Sequence, residues 1–117
     1  MMRTISRKLL LVFSFALLTL ALLGCPEQTT IGQINADPGR YLNKEVGVSG
    51  TVTESFGVLN KGVYQLDDGT GRLWVFSEHY GVPTQGAPVR VAGRITPTVT
   101  FSGRSFTNIL RETERRR

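Results

Sequence analysis

The sequence predicts an all-β fold, a small five-stranded barrel that follows a cleaved N-terminal signal peptide. Apolar and polar residues alternate with a period of two in five separate runs, which is the pattern of strands with one buried face. Glycines lie within and between these runs, as is usual in small, strongly coiled barrels. No long amphipathic helix pattern follows residue 25, so the core has to be built from strands.

The first 25 residues have the features of an export signal. An apolar run over 9–23 follows three basic residues, Arg3, Arg7 and Lys8. This run has about 15 residues, fewer than the roughly 20 that a membrane-spanning helix needs. Its end, Leu22-Leu-Gly-Cys25, resembles the lipobox of bacterial lipoproteins, in which the cysteine is acylated and becomes the mature N-terminus. An ordinary cleaved signal peptide and an uncleaved anchor are the alternatives.

The lipobox resemblance implies a location. Residues 1–24 would be removed, Cys25 would carry the lipid anchor, and residues 25–29 would tether the domain to a membrane of the bacterial cell envelope, facing the periplasm or the cell exterior. Pro26 stands where an aspartate favours inner-membrane retention in some Gram-negative bacteria, so the outer membrane is favoured over the inner. Cys25 is the sole cysteine, so the exported domain has no disulfide.

The charge of the chain is concentrated at its ends. The net charge is +5, yet Lys and Arg are balanced by equal numbers of Asp and Glu between residues 25 and 110. Strong sequence-independent binding to phosphates is therefore not predicted for the folded part. The Arg-rich segment 111–117 is predicted to be a disordered tail, which is either simply solvated or in contact with anionic lipid head groups or polysaccharide.

The elements of the domain, residues 30–110, follow in order. Thr30 can cap a short helical turn over 30–34, and a turn over 37–40 leads to Tyr41 and Leu42, which can cover one end of the barrel. Gly50 and Gly93 fall within strands, at positions where bulges are expected. The five strand runs are 46–52, 63–67, 72–76, 89–95 and 104–110.

The segment 67–71, Asp-Asp-Gly-Thr-Gly, has two interpretations: a cation or phosphate site, and a hairpin turn. A calcium loop needs further oxygen ligands at alternate positions and a closing glutamate. A phosphate loop needs a lysine and a following helix, whereas Arg72 begins a strand. The segment is therefore predicted to be a hairpin turn.

The order of these features resembles the OB-fold, in the form found in small nucleic-acid-binding domains of the tRNA-anticodon-binding type. The motifs that carry the resemblance are Pro38-Gly-Arg-Tyr41, Lys44-Glu-Val46-Gly-Val48-Ser-Gly50-Thr-Val52, Tyr64-Gln-Leu66-Asp67-Asp-Gly-Thr-Gly71 and Gly86-Ala-Pro-Val89-Arg-Val91-Ala-Gly93. One departure is the segment 77–86, which is too short and too rich in Gly and Pro for the helix that many OB domains place there. The resemblance implies ligand binding on the face of the second and third strands.

Catalysis is not expected. The sequence contains one histidine, His79, which lies in a loop, so metal sites rich in histidine and catalytic triads lack members. No nucleophile is accompanied by a base, and Asp67 and Asp68 already have a role in the turn. We therefore predict a protein that is not an enzyme and has no cofactor or metal.

The remaining candidate site is a face of the barrel. If Leu73 and Val75 point inward, Arg72, Trp74 and Phe76 project outward and can form a stacking platform. The competing interpretation buries Trp74 and Phe76 as core, or beneath Tyr41, Tyr80 or the C-terminal strand. The expected ligand-binding residues are Arg72, Trp74, Phe76, Gln65, Lys61 and Arg94.

Two functions follow from these predictions. The first is a membrane-anchored, non-enzymatic OB-fold lipoprotein that binds an extended ligand, either a single-stranded oligonucleotide, a glycan or a peptide segment, through the face of its second and third strands. The second is an accessory or structural subunit of a cell-envelope protein complex, with no polymer ligand. An outward aromatic row favours the first function, and a buried Trp74 favours the second.

Overall fold

The structure, a computed structural model, describes residues 27–116. The predictions of a signal peptide and of a lipid anchor at Cys25 lie outside the described residues. The elements are β1 Glu27–Gln28, α1 Ile31–Ala36, α2 Pro38–Tyr41, β2 Glu45–Val58, β3 Lys61–Asp67, β4 Arg72–Ser77, β5 Pro88–Phe101 and β6 Arg104–Arg116. In this part of the chain neither helix has the length and hydropathy of a membrane span.

The all-β prediction is confirmed, because strands β2 to β6 form a closed five-stranded barrel that is compatible with an OB-fold. The strand order is β1-β2-β3-β4-β6-β5, and the barrel closes where β2 pairs with β5. The long strand β2 makes this possible, since its first half pairs with β5 and its second half with β3. A register shift between Val52 and Glu54 accompanies the change of partner. The predicted second and third strands are therefore β3 and β4.

The barrel interior is filled by aliphatic side chains and one tyrosine. Leu73 and Val75 point into it, as the alternation predicts, and Tyr41 and Leu42 pack against it from one end. Burying each such aliphatic side chain contributes about 1.5–3 kcal/mol. The buried members are Ile31, Ile34, Val46, Val48, Val52, Tyr64, Leu66, Leu73, Val75, Val89, Val91, Ile95 and Leu110. The five strands of the barrel bury these side chains against one another, so the described part of the chain supplies a core of its own.

Gly93 allows β5 and β6 to approach closely. The register of the two strands shifts between Ala92 and Gly93, so a bulge lies beside this glycine, with its extra residue in β6. The bulge expected at Gly50 is not found, because Gly50 pairs with Val89 in regular register. A Cβ atom at Gly93 would overlap the carbonyl oxygen of Arg111 and would lie 2.6 Å from Cδ2 of Leu110. The strand crossing therefore requires a residue without a side chain.

The C-terminal segment is part of the barrel. The prediction of a disordered tail over 111–117 is wrong for residues 111–116, which belong to β6 and pair with β5. The bulge opposite Ala92 and Gly93 places one extra residue, Thr113, in β6. Because of this extra residue, Glu112 and Arg115 face the same side of the strand, although residues three apart in a regular strand face opposite sides.

Glu112 and Arg115 form a buried ion pair at the barrel end. The Glu112 side chain has no exposed surface, and Arg115 donates to both of its carboxylate oxygens and, at 2.6 Å, to the carbonyl oxygen of Gly81. The Arg115 guanidinium also lies 5.1 Å from the ring centroid of Tyr64. Burial, and then the negative charge of Glu112, raises the pKa of Tyr64, so its phenol stays neutral. Two charges of the segment, those of Glu112 and Arg115, therefore neutralise each other away from solvent.

Candidate ligand-binding cleft

The segment 67–71 forms the turn between β3 and β4, so the prediction of a turn is confirmed. The same segment is hydrogen-bonded to α1, and it is called the clasp below. Asp67 accepts a hydrogen bond from the Gly69 amide at 2.8 Å, and Asp68 accepts one from the Thr70 amide at 2.9 Å. Asp68 also accepts from the backbone amide of Ile31 at 2.9 Å, in the first turn of α1. This last contact, which joins the hairpin to α1, involves residues far apart in the chain, and sequence reasoning missed it.

Replacing Asp68 by alanine is expected to lower the free energy of unfolding by about 1–2 kcal/mol at neutral pH, as loss of a helix-capping carboxylate does. Partial burial raises the pKa of Asp68, but hydrogen bonds from Thr70, Ile31 and Gly71 together outweigh it and hold this pKa below its ordinary value. The stabilisation is therefore complete above the pKa of aspartate in the unfolded chain and is lost as the pH falls through the lower folded pKa.

Urea unfolding at neutral pH and at about pH 2 measures this effect. Asp37→Ala is the control, because the Asp37 side chain makes no capping hydrogen bond. If Asp68→Ala lowered the free energy of unfolding by the same amount at both pH values, the stabilising role assigned to the Asp68 carboxylate would be wrong.

The outer face of β3 and β4 carries the aromatic side chains that the alternation predicts there. Trp74 lies opposite Gln65, and Phe76 lies opposite Val63. On the other side of β3, Phe56 of β2 lies opposite Val63 and so continues the same face. This face points away from the barrel interior.

The distal part of the β5–β6 hairpin, residues 97–108, covers part of this face and is called the arm below. Strand pairing skips Pro97 and Asn108 between the pairs Thr96–Ile109 and Thr98–Thr107, and Asn108 has a positive φ of 50°. A second apolar cluster joins the arm to this face: Val63, Phe76, Val99, Phe106 and Ile109, with Trp74 and Phe101 partly buried against them. Phe76 is only 8% exposed, so it cannot act as a stacking surface.

Trp74 is half-buried, and its ring is already in contact with three side chains. Phe56 stacks on it with a centroid distance of 6.2 Å, and Phe106 meets it tilted at 4.9 Å. The guanidinium of Arg104 lies 5.2 Å from its centroid and 5.0 Å from that of Phe106. Trp74 therefore supports the neighbouring side chains and offers little free surface for a nucleobase.

An open cleft of about 380 Å³ lies between the tip of the β2–β3 hairpin and the tip of the arm. Its apolar walls are partly solvent-exposed, since Phe56 is 49% and Val58 59% exposed. The lining residues are Phe56, Gly57, Val58, Val63, Phe101, Ser102, Arg104 and Phe106.

The six predicted ligand-binding residues do not form one site. Trp74 lies beside the cleft, and Lys61 lies opposite Val58 at its rim. Gln65 accepts a hydrogen bond from Thr53 at 2.9 Å, and Arg72 is held by Asp67 at 3.3 Å in the clasp. Arg94 lies two strands away from Phe76, beyond Arg111, and donates to the carbonyl oxygen of Asn43.

Sequence reasoning missed Phe56, Phe101 and Phe106, which lie beyond the predicted strand runs or were not assigned to the site. A signal for the arm is present in the sequence: Ser102-Gly103 forms a two-residue turn with positive φ at both residues, 51° and 79°. Such a dipeptide between aromatic residues is typical of a hairpin tip. It would have extended the fourth and fifth strands.

A second, more open groove of about 760 Å³ lies elsewhere on the barrel, and Asp67, Asp68, Arg90 and Arg116 contribute to its walls. Its carboxylates are already bonded within the clasp, and Arg116 pairs with Glu114 at 3.3 Å. In residues 27–116 no three His, Cys, Asp or Glu side chains are grouped as a metal site requires. The cleft is therefore the better candidate.

Comparisons with family models and with curated proteins find no match to this chain.

Proposed function

We propose that this chain is a membrane-anchored, non-enzymatic OB-fold lipoprotein of the bacterial cell envelope, and that it binds an extended ligand in the cleft beside β3 and β4. The observation that best supports ligand binding in the cleft is the apolar tip of the β2–β3 hairpin. Phe56, Val58 and Leu59 are exposed there, Leu59 to 96%, beside a cleft with apolar walls. Exposed apolar groups of this size, gathered at one opening, are typical of an interaction site.

The conformation and exposure of this hairpin tip are energetically unfavourable, and the barrel does not require them. Leu59 has a positive φ of 59°, a conformation that is unfavourable for a bulky residue. Leaving a leucine or phenylalanine side chain in water also forgoes roughly 1.5–3 kcal/mol of burial. A ligand seated in the cleft would recover part of this energy.

A second candidate function is a structural subunit of an envelope complex without a polymer ligand. The burial of Phe76 and the contacts around the Trp74 ring favour it, because the aromatic row predicted to be free is partly covered. In that case the cleft would be filled permanently by a neighbouring protein.

The test is a binding panel on residues 26–117 with labelled single-stranded oligonucleotides, glycans and extended peptides. Phe56→Ser is expected to weaken binding of the active ligand class by about tenfold or more, since a change of 1.4 kcal/mol is tenfold. Tyr80→Ser is the matched control, because Tyr80 is a similarly exposed aromatic residue, at 56%, that does not line the cleft. Equal affinity of both variants and the unsubstituted protein would contradict the assignment of the cleft.

A further inference from the structure

We propose that the ligand of the cleft is a polypeptide, an extended acidic segment that places an apolar side chain between the hairpin tips. This inference rests on the proposed function, because it names the ligand class of the same site. The apolar lining, the cationic rim and an unpaired strand edge each support it.

The lining suits an apolar side chain better than a base or a sugar. Its side chains are aliphatic or aromatic except for Ser102 and Arg104. Sugar rings need many hydrogen-bonding partners, and two polar side chains supply few. Stacked bases need a free aromatic face, whereas the Trp74 ring is already engaged by Phe56 and Arg104.

The rim of the cleft is cationic. Arg104 makes no ion pair within the described residues, and Lys61, opposite Val58, makes none either among residues 27–116. Among residues 27–116 no carboxylate lines the cleft, and the nearest one along β2 on that face, Glu54, lies one row away opposite Gln65. Two cations are few for a phosphate backbone but match one or two carboxylates of a peptide.

The backbone of β2 offers the third feature. Its pairing with β5 ends at Thr51, and from Glu54 to Val58 it pairs only with β3 in the described part of the chain. The other edge of this stretch therefore has no strand partner within residues 27–116, and two residues of the stretch, Gly57 and Val58, line the cleft. An extended peptide can add to such an edge as a strand, with every second side chain directed to one face.

The experiment selects random peptides displayed on phage against immobilised residues 26–117. We expect enrichment of sequences that combine a large apolar residue with Asp or Glu. Synthetic versions should lose about tenfold or more in affinity in the Arg104→Glu variant. A peptide with Lys in place of its Asp or Glu should bind the unsubstituted protein weakly and regain affinity for Arg104→Glu.

Arg90→Glu is the matched control, because Arg90 is exposed and lies in the other groove. If Arg104→Glu does not fold, the charge requirement is still tested by comparing the acidic peptide with its Lys-substituted version on the unsubstituted protein. Oligonucleotides or glycans that bind in a Phe56-dependent way, without peptide enrichment, would overturn the polypeptide and leave the proposed function standing. Enriched peptides that bind Phe56→Ser and the unsubstituted protein equally would overturn both, as would the absence of any ligand.

Discussion

Replacing Glu112 by alanine is expected to lower the free energy of unfolding by about 3–5 kcal/mol, because it leaves a buried guanidinium without its counter-ion. The Arg115 side chain is only 6% exposed, and its other contacts are the carbonyl oxygen of Gly81 and the rings of Tyr64 and Tyr80. None of these neutralises its charge. A small domain has about 5–15 kcal/mol of stability in total, so the variant approaches the limit of folding.

Urea unfolding of residues 26–117 measures this loss. Glu114→Ala is the control, because Glu114 forms an exposed pair with Arg116 at 3.3 Å and should matter by no more than about 1 kcal/mol. Replacing both members of the buried pair, as Glu112→Leu with Arg115→Met, should recover most of the stability. An equal, small effect of Glu112→Ala and Glu114→Ala would show that the C-terminal segment is not packed on the barrel.

Gly93→Ala is expected to cost about 3 kcal/mol or more, the upper range for overpacking, because the new methyl group meets backbone. The carbonyl oxygen of Arg111 and the side chain of Leu110 occupy the space that a Cβ would need. To remove this overlap, β5 and β6 would have to separate, which would weaken the strand pairing that positions the arm.

The same unfolding measurement tests Gly93→Ala against Gly39→Ala. At Gly39 the nearest atom to a new Cβ is Oδ1 of Asp37, at 3.9 Å, so the control should change stability by less than about 1 kcal/mol. If Gly93→Ala were as stable as the control, the close crossing of β5 and β6 would be wrong.

The barrel could be predicted because its signals are local. Alternation marks the half-buried parts of the strands, and Thr30 forms a capping box with Gln33 that begins α1 where the sequence predicts a helical turn. The ends of the strands could not be predicted this way. Beyond Val52, β2 is largely exposed, so its polar and apolar residues no longer follow burial. The segment 111–116 has the composition of a solvated tail, and only the bulge at Thr113 brings Glu112 and Arg115 together.

For the candidate site, too, the local features could be predicted and the non-local ones could not. Period-two alternation predicts correctly that Leu73 and Val75 point inward and that Trp74 and Phe76 lie on the opposite face. Whether that face is open depends on the arm, whose path is a non-local property of the β5–β6 hairpin. The arm buries Phe76 and moves the opening toward Phe56, a residue that no local pattern connects with Trp74.

The most direct test of the cleft as the ligand site uses Trp74, the sole tryptophan of the chain, as a built-in probe. Phe56 and Arg104, which line the cleft, both contact its ring. We expect the Trp74 emission of residues 26–117 to change saturably when a binding peptide is added, with the midpoint that an independent binding assay gives. Binding in that assay with no change in Trp74 emission would contradict a ligand in the cleft.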